Sequence, residues 1–200
     1  MKKVLYLMMA ISAIAFVSCK DDNDKKDKDN KPAAEEARVL EDFENGGMLS
    51  WTGADGCKCE VVANPAKAGI NKSEKVGKYT TSTNAWDFVW TSGFGVTETH
   101  PDFEFLSFVN DGYVIKADIY APAAGMPIYC KLEGIKGFAA KEKTGVVTTK
   151  ANEWETLEFD FETLEMAENG YKNFVFCIDA GGTTDGTVVY IDNVRQVKGE

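Results

Sequence analysis

The sequence is almost without histidine, since His100 is the only one in 200 residues. Histidine is the usual general base near neutral pH and a common zinc ligand. A catalytic scheme built on histidine is therefore not predicted, and neither is a zinc cluster. His100 itself stands in a turn-like segment, ETHPD, and we interpret it as a loop residue.

Recognisable catalytic motifs are also missing. The sequence has no G-x-S-x-G, phosphate-binding loop, H-E-x-x-H or G-x-G-x-x-G pattern. Two same-face pairs of carboxylates, Asp102 with Glu104 and Glu158 with Asp160, have the residue types that a glycosidase uses. Neither pair stands in a hydrolase-like motif, and any acidic β-protein would contain such pairs. We therefore predict a protein that is not an enzyme.

Basic residues are outnumbered by acidic ones. The chain has 22 Lys and Arg against 32 Asp and Glu, and its formal net charge is -10. A chain of this charge repels phosphate backbones and anionic polysaccharides. The charge therefore argues against nucleic acid as a partner, whereas neutral glycans remain open.

Long apolar runs are confined to the N-terminus. Lys2 and Lys3 precede an apolar run from Val4 to Val17, which is too short for a comfortable membrane span and has signal-peptide proportions. Residues 15–19 read AFVSC and resemble a lipoprotein signal-peptidase site, at which Cys19 would become the lipidated N-terminus. The alternative is an ordinary cleaved signal with an incidental cysteine. We predict a signal peptide over residues 1–18 and a lipid anchor at Cys19.

A polar segment follows the predicted anchor. Residues 20–36 contain no aromatic residue and no aliphatic residue larger than alanine. Such a segment cannot bury enough apolar area to offset its ordering, so residues 19–37 are predicted to be the lipidated cysteine and a flexible linker. The acidic residues just after Cys19 resemble a surface-export signal of lipoproteins, and the alternative is a plain linker; they are Asp21, Asp22 and Asp24.

The rest of the chain has the pattern of a β-protein. From Arg38 onward, short alternating runs are separated by Gly, Pro, Asn and Asp. Gly112 to Tyr120 is typical, because its odd-numbered residues after the glycine could all face a core while Lys116 and Asp118 face solvent. About ten such strands and no convincing long helix predict an all-β fold, an antiparallel β-sandwich, over residues 38–200.

One central stretch resembles a known kind of module. Residues 64–79 read NPAKAGINKSEKVGKY and are similar to the NP…GIN.S.KV.KY signature of jelly-roll, galactose-binding-like modules in surface lipoproteins and secreted enzymes of Gram-negative glycan degraders. LEDFE at residues 40–44 and YIDNV at residues 190–194 support the resemblance. It implies a jelly-roll fold, carbohydrate binding, and a place on the outer membrane facing the cell exterior. Glycan-degrading enzymes and a transporter are the partners that it implies.

The same resemblance implies a structural metal. Related modules often hold calcium where the first and last strands meet, with oxygens from a phenylalanine-acid segment and a terminal aspartate. In this sequence Asp42 and Glu44 share one strand face, and Asp192 lies in the YIDNV segment. Three carboxylates with backbone carbonyls suit the six to eight hard oxygens that calcium prefers. The alternative is a solvated acidic edge.

Sugar recognition requires flat aromatic faces with polar groups beside them, and tryptophan supplies the largest face together with an N–H donor. Trp86 and Trp90 are the best candidates, because they alternate with Phe88 on one strand face between two polar segments. The alternative is that these three rings are core. Trp51, in a turn-rich segment, would either extend the platform or cap the edge of the sandwich.

The fourth tryptophan, Trp154, is interpreted as a structural residue that packs inside the sandwich. Strand alternation puts it opposite Leu157 and Phe159, so an inward position would need a β-bulge.

Four cysteines remain after the predicted lipidation site. Cys57 and Cys59 are too close for an easy mutual bond and lack the partners of a zinc site. Cys130 and Cys177 lie in different predicted strands, and a bond between them or with the first pair stays open beside four buried free thiols.

Together these observations predict a lipid-anchored, non-catalytic surface protein that captures a neutral polysaccharide or oligosaccharide through an aromatic platform. The alternative is a structural or protein-interaction lipoprotein on the same scaffold without a sugar site. One observation separates them. Rings of Trp86 and Trp90 that lie open on a sheet face favour glycan binding, whereas rings packed against the opposite sheet favour the alternative.

Overall fold

The computed structural model describes residues 37–44, 49–92, 112–134, 137–162, 164, 166, 170–182 and 185–198. These residues contain no α-helix, and a search of them for a membrane-spanning helix finds none. Their strands are β1 (Ala37–Glu41), β2 (Ser50–Ala54), β3 (Lys58–Ala63), β4 (Lys75–Thr80), β5 (Phe88–Ser92), β6 (Val114–Tyr120), β7 (Pro127–Gly134), β8 (Lys141–Val147), β9 (Trp154–Asp160), β10 (Tyr171–Ile178) and β11 (Val188–Val197).

The strands form two antiparallel sheets. The six-stranded sheet has the order β3-β4-β11-β6-β9, with β1 also paired to β11, and the five-stranded sheet has the order β2-β5-β10-β7-β8. The long strand β11 pairs with β4 through residues 188–191 and with β1 through residues 194–197. The predicted antiparallel β-sandwich is confirmed.

The inner faces of the two sheets carry the core. Strand alternation places one apolar set inward from each strand, as in β6, where Ile115, Ala117 and Ile119 are fully buried. Full burial of a large apolar side chain such as Ile115 contributes about 1.5–3 kcal/mol, which offsets part of the entropy lost on folding. The largest fully buried side chains are Tyr79, Tyr171, Phe43, Phe159, Phe161, Phe174, Phe176, Leu40 and Ile115.

The segment between β3 and β4, residues 64–74, lies over the outer face of the six-stranded sheet, and we call it the strap. The Asn71 side-chain amide donates a hydrogen bond of 2.6 Å to the Asp192 carboxylate on the central strand β11. The Ala66 carbonyl accepts a 2.8 Å hydrogen bond from the Trp154 indole at the edge strand β9. Asn64 closes the loop with a 2.8 Å bond to the Asn71 side-chain oxygen. The asparagines of the sequence signature therefore fold the strap and fix it to the sheet.

The strap explains the position of Trp154. This side chain is buried, as a structural role requires, yet the pairing of β6 with β9 is regular from Val114 opposite Asp160 to Tyr120 opposite Trp154. The predicted bulge is therefore absent. Trp154 lies on the outer face of the sheet and is buried because the strap packs over it.

Gly77, at the unspecified position between the KV and KY residues of the signature, has a packing role. A Cβ atom at this position would lie 2.5 Å from the ring of Phe43, which is fully buried against the β4 backbone. Non-bonded carbon atoms do not approach each other so closely, so a side chain at residue 77 would displace Phe43. Phe43 reaches this place with a φ of 56°, at the end of the LEDFE segment.

Candidate functional site

The outer face of the five-stranded sheet carries the aromatic residues that the sequence singled out. On β5, Val89 points inward and is fully buried, so its neighbours Phe88 and Trp90 point outward and are half-buried. Trp86, just before the strand, is 57% exposed. The three rings therefore face away from the opposite sheet, which is the arrangement that favours glycan binding over a purely structural role.

Strand register places Trp90 in one row with a residue from each of the other four strands of the sheet. The β5–β10 and β10–β7 pairings put Val175 between Trp90 and Lys131. The adjacent row places Cys177 beside Tyr129. The complete first row, read across the sheet from β2 to β8, is Thr52, Trp90, Val175, Lys131 and Glu142.

A groove of about 340 Å³ opens on this face. At one end, the rings of Trp86 and Tyr129 have centroids 6.1 Å apart and are inclined at 48°. Trp90 lies on the same face but is not part of the lining. The lining residues are Trp86, Phe88, Tyr129, Lys131, Glu133, Glu142, Val175 and Cys177.

Hydrogen bonds fix the loop that presents Trp86. Its backbone N–H donates to the Asn84 side-chain oxygen at 3.0 Å, and the Asn84 N–H donates to the Ser82 hydroxyl at 3.1 Å. The Gly181 N–H donates to the carbonyl of the residue before Trp86 at 2.8 Å. Asp87, which follows, is buried and accepts the Ser82 N–H. The indole is thus exposed on a pre-organised loop, which lowers the entropy cost of binding.

The charged residues of the groove form one group on β7 and β8. The Lys131 ammonium lies 2.9 Å from a Glu133 carboxylate oxygen and 4.0 Å from a Glu142 oxygen. The Glu133 and Glu142 side chains are 41% and 59% exposed. Carboxylates accept hydrogen bonds from hydroxyl groups and an ammonium donates to oxygen atoms, so the group supplies the polar contacts that a sugar needs.

Cys177 forms part of the groove floor. Burial, with the nearby Asp87 charge as a second cause, raises the pKa of its thiol to about 12. The thiol therefore stays protonated at neutral pH and lacks the reactivity of a catalytic cysteine. Among the four cysteines that the structure describes, none forms a disulfide, so the free-thiol alternative holds for Cys57, Cys59, Cys130 and Cys177.

Trp51 lies on the inner side of the same sheet, away from the groove. Its ring centroid is 5.3 Å from that of Phe43 and 5.5 Å from that of Phe174, and its indole N–H donates to the buried Glu41 carboxylate at 3.1 Å. A ring held in this way has no free face for a sugar. Of the two roles predicted for Trp51, the structure supports packing at the sandwich edge, and we correct the prediction that it extends the platform.

The predicted calcium ligands are not gathered around one point. No group of three or more His, Cys, Asp or Glu side chains among the described residues is placed to hold a metal ion. Asp192 accepts hydrogen bonds from Asn71 and the Asn193 N–H. Glu44 accepts from the N–H groups of Glu74, the last strap residue, and of Lys75, the first residue of β4. Asp42 accepts from the Glu44 N–H at 3.0 Å. These carboxylates have protein donors and do not fit a shared metal site as they stand.

Burial raises the pKa of Asp192, which further disfavours the ionised form that a calcium ligand needs. Calcium at Asp42, Glu44 and Asp192 stays a prediction, which a rise of the unfolding midpoint on adding calcium chloride would test.

Several predictions fall outside the described residues. They concern the signal peptide, the lipidated Cys19, the linker up to residue 36, the loop residue His100 and the carboxylate pair Asp102 and Glu104. The other carboxylate pair, Glu158 and Asp160, lies on β9 of the six-stranded sheet, and Glu158 pairs with Lys116 there. It is not part of the groove.

Four groove residues on β7 and β8 were not predicted. Tyr129, Lys131 and Glu133 alternate with the buried Ile128, Cys130 and Leu132 along β7, so alternation alone indicates a polar and aromatic outer face. Alternation does not indicate that β7 lies two strands from β5, because the intervening strand β10 comes later in the chain than both, after β8 and β9. The non-local pairings of β10 with β5 and with β7 are therefore what brings Lys131, and with it Glu142 on the next strand β8, to the tryptophan face.

No protein-family model matches the sequence, and no curated protein shows significant similarity to it. Solved structures do match. A family 11 carbohydrate-binding module from Clostridium thermocellum, in complex with a β-1,3-1,4-mixed-linked tetrasaccharide, aligns over 83% of this chain and 98% of its own, with a TM-score of 0.52 and 14% identity. The C-terminal family 22 module of xylanase 10B from the same organism aligns over 84% and 98%, with a TM-score of 0.50 and 16% identity.

A third structure contains a family 22 module joined to the catalytic module of the same xylanase, complexed with xylohexaose. It aligns over 82% of this chain with a TM-score of 0.52 and 12% identity, and this chain spans 29% of its length. At such identities the likeness shows the fold. The chain therefore has the jelly-roll β-sandwich fold of carbohydrate-binding modules, as the resemblance in the sequence implied.

Proposed function

We propose that the protein binds carbohydrate without cleaving it and holds one neutral glycan chain in the groove. The observation that carries this proposal is the exposure of Trp86, at 57%, beside Tyr129 in the lining of a groove on an open sheet face that also contains charged side chains. A large aromatic ring is normally buried unless a partner covers it. The oligosaccharides bound in two of the structural neighbours, xylohexaose and a β-1,3-1,4-mixed-linked tetrasaccharide, support the same class of ligand.

The inclination of the two rings favours a single chain over a crystalline surface. Rings tilted at 48° to each other cannot both lie flat on one plane, so they suit a single chain that turns along its length better than a flat surface. A shallow groove exchanges water hydrogen bonds for similar ones, so each site binds weakly. Display of many copies on one surface would raise the overall affinity.

The groove lacks the features of a glycosidase site. General acid catalysis requires a carboxyl whose pKa is raised by an apolar pocket. The carboxylates of Glu133 and Glu142 are well exposed to solvent and share the Lys131 ammonium. This arrangement supports binding without hydrolysis.

The location is part of the same proposal. Lipidation of Cys19 would anchor the protein in the outer membrane, facing the cell exterior, where it would deliver glycan to degrading enzymes and a transporter. Replacement of Cys19 by alanine should release the protein from the outer-membrane fraction, and protease added to intact cells should digest the native form. Resistance of the native form to external protease would contradict the surface location.

Binding to soluble polysaccharides tests the function directly. The purified full chain is run through gels that contain mixed-linkage β-glucan, xylan or galactomannan, beside Trp86→Ala, Trp90→Ala and a control, Ile70→Ala. Ile70 is 55% exposed, close to Trp86 in exposure, and lies in the strap on the other sheet. We expect Trp86→Ala to weaken binding about tenfold or more. Trp90→Ala should have a smaller effect, because Trp90 flanks the groove.

Circular dichroism should show all three variants folded. Absence of binding by the native protein to every glycan would reject the proposal and favour the structural or interaction lipoprotein. Equal retardation of native protein and folded Trp86→Ala would place the sugar site elsewhere.

A further inference from the structure

The charges of the groove do not balance. Its lining contains three charged side chains, one lysine and two glutamates, so the lining carries one net negative charge. Lys131 is held between both glutamates, at 2.9 Å from Glu133 and 4.0 Å from Glu142. All three groups remain in partial contact with solvent, with Lys131 35% exposed. The cation is therefore already neutralised before any ligand arrives.

This arrangement treats charged and uncharged sugars differently. A ligand carboxylate that approaches Lys131 lies close to two like charges, those of Glu133 and Glu142, which costs affinity. A sugar hydroxyl donates to either glutamate without displacing the lysine, because ionised carboxylates only accept hydrogen bonds. Lys131 can at the same time donate to a ring or hydroxyl oxygen.

The register places this group on the same sheet face as the aromatic part of the site. Lys131 and Glu142 stand in the same row as Trp90, with only Val175 between Trp90 and Lys131. Two strand spacings separate Trp90 from Lys131, roughly 10 Å along the row. Tyr129, which lines the groove, lies two residues before Lys131 on the same face of β7, so a chain that stacks on Tyr129 lies close to the charged group.

From this geometry we infer that Lys131, Glu133 and Glu142 determine the specificity of the groove, accepting uncharged glycans and rejecting chains that contain uronic acid. The inference rests on the proposed function and adds the residues that select among glycans. Glu133 and Glu142 are the rejecting groups, and Lys131 is the cation that they keep from an anionic ligand.

A matched pair of ligands and a matched pair of variants test the inference. Each polysaccharide that has primary hydroxyls, mixed-linkage β-glucan and galactomannan, is compared with the same polymer after oxidation of those hydroxyls to carboxylates. Xylan is compared with glucuronoxylan. The double variant Glu133→Gln, Glu142→Gln keeps the side-chain shape and an acceptor oxygen. The control Glu60→Gln, Glu158→Gln removes the same charge from β3 and β9 of the other sheet.

For the native protein we expect at least about tenfold weaker binding of the acidic form than of its neutral partner. The groove double variant should weaken binding of the neutral form, because it exchanges two charged acceptors for neutral ones. The ratio of neutral to acidic binding, which measures the penalty against the acidic form, should nevertheless fall toward one. The control variant should keep the full penalty. Added salt should reduce the penalty only partly, because the ligand carboxylate and the two glutamates would lie much closer together than the screening length.

Three outcomes would overturn the inference. Equal binding of acidic and neutral forms by the native protein removes the selectivity. If the groove variant keeps the full penalty, the selectivity arises elsewhere in the protein. If the control variant Glu60→Gln, Glu158→Gln loses as much of the penalty, the selectivity comes from the net charge of the protein. In each of these cases neutral glycans still bind, so the proposed function stands. Failure of the native protein to bind any neutral glycan rejects the proposed function and this inference together.

Discussion

The Tyr79 hydroxyl donates a hydrogen bond to the Asp87 carboxylate, and this bond joins the two sheets behind the exposed tryptophan. Tyr79 is fully buried on β4 of the six-stranded sheet, and Asp87 directly precedes β5 of the other. Burial, and then the bond to Asp87, raises the pKa of Tyr79, so the phenol remains a donor at physiological pH. The second Asp87 oxygen holds the Ser82 N–H in the loop that presents Trp86. The groove wall therefore depends on a bond in the core.

Replacement of Asp87 by alanine should destabilise the protein and weaken glycan binding together. The change leaves the Tyr79 hydroxyl and the Ser82 N–H without their acceptor, at about 1–3 kcal/mol for each buried donor. Denaturant unfolding gives the stability, and affinity gels give the binding of the fraction that is folded. Asp185→Ala, at an exposed position, is the control and should change neither. Full glycan affinity in folded Asp87→Ala would show that the loop keeps its shape without this bond.

Replacement of Trp51 by alanine should cost stability without a direct effect on the groove. The ring packs on Phe43, Phe174 and Phe176, and truncation of a packed tryptophan costs about 3–5 kcal/mol. It also removes one donor from the buried Glu41 carboxylate. Thermal unfolding measures the loss. Trp51→Phe should keep part of the packing and bind glycan like the native protein, and a selective loss of binding in that variant would return Trp51 to the sugar site.

The fold was predictable because local alternation and turn residues point to the same answer along the whole chain. In β6 and β9, for example, apolar residues recur at every second position, which fixes the inner face without knowledge of the partner strands. Trp154 is the exception that shows the limit of this reasoning. Alternation placed it on the outer face of the six-stranded sheet. That position is buried only because the strap packs over the same face.

The site was predictable only in part. Trp86 and Trp90 lie in one short segment, and their spacing already puts them on one face. Lys131 and its neighbour Glu142 on the next strand β8 join them only because β10 pairs with both β5 and β7, and that sheet order does not follow from local sequence. The prediction that Trp51 extends the platform was wrong because local sequence does not show which face of its strand points toward the opposite sheet.

Replacement of Asn71 by alanine should release the strap from the sheet and leave glycan binding unchanged. Asn71 is fully buried and bonds to both Asp192 and Asn64, so its loss leaves buried polar groups unpaired, at about 1–3 kcal/mol each. Hydrogen exchange of the strap amides and the unfolding midpoint report the effect. Lys72→Ala, at an exposed strap position, should leave both unchanged. A native midpoint in Asn71→Ala would show that Trp154 holds the strap alone.

Cys177 should report occupancy of the groove. Burial raises the pKa of both Cys177 and Cys59 to about 12, so both thiols should react slowly with iodoacetamide near pH 8. Only Cys177 lines the groove. A bound glycan should therefore slow alkylation of Cys177 and leave that of Cys59 unchanged, as measured by mass spectrometry of the peptides. Equal protection of the two thiols would indicate a general rigidification instead of a ligand in the groove.

Asp179 should make the protein less stable as the pH rises through the acidic range. Burial, and then the charge of Asp87, raises the pKa of this carboxyl above its ordinary value of 3.8. The folded state therefore holds its proton at pH values where the unfolded state has lost it. By linkage, the contribution of Asp179 to stability is present below pH 3.8 and declines as the pH rises through the folded-state pKa.

Asp179→Asn removes this titration and suits the backbone, because asparagine tolerates the φ of 57° at this position. The stability of the variant relative to the native protein should therefore increase between pH 4 and pH 6, where denaturant unfolding measures it. Asp185→Asn, at an exposed position, should show a smaller change. Parallel pH profiles for native protein and Asp179→Asn would mean that solvent screens Asp179 from Asp87, and that the turn after β10 adds no charge repulsion to the loop of Trp86.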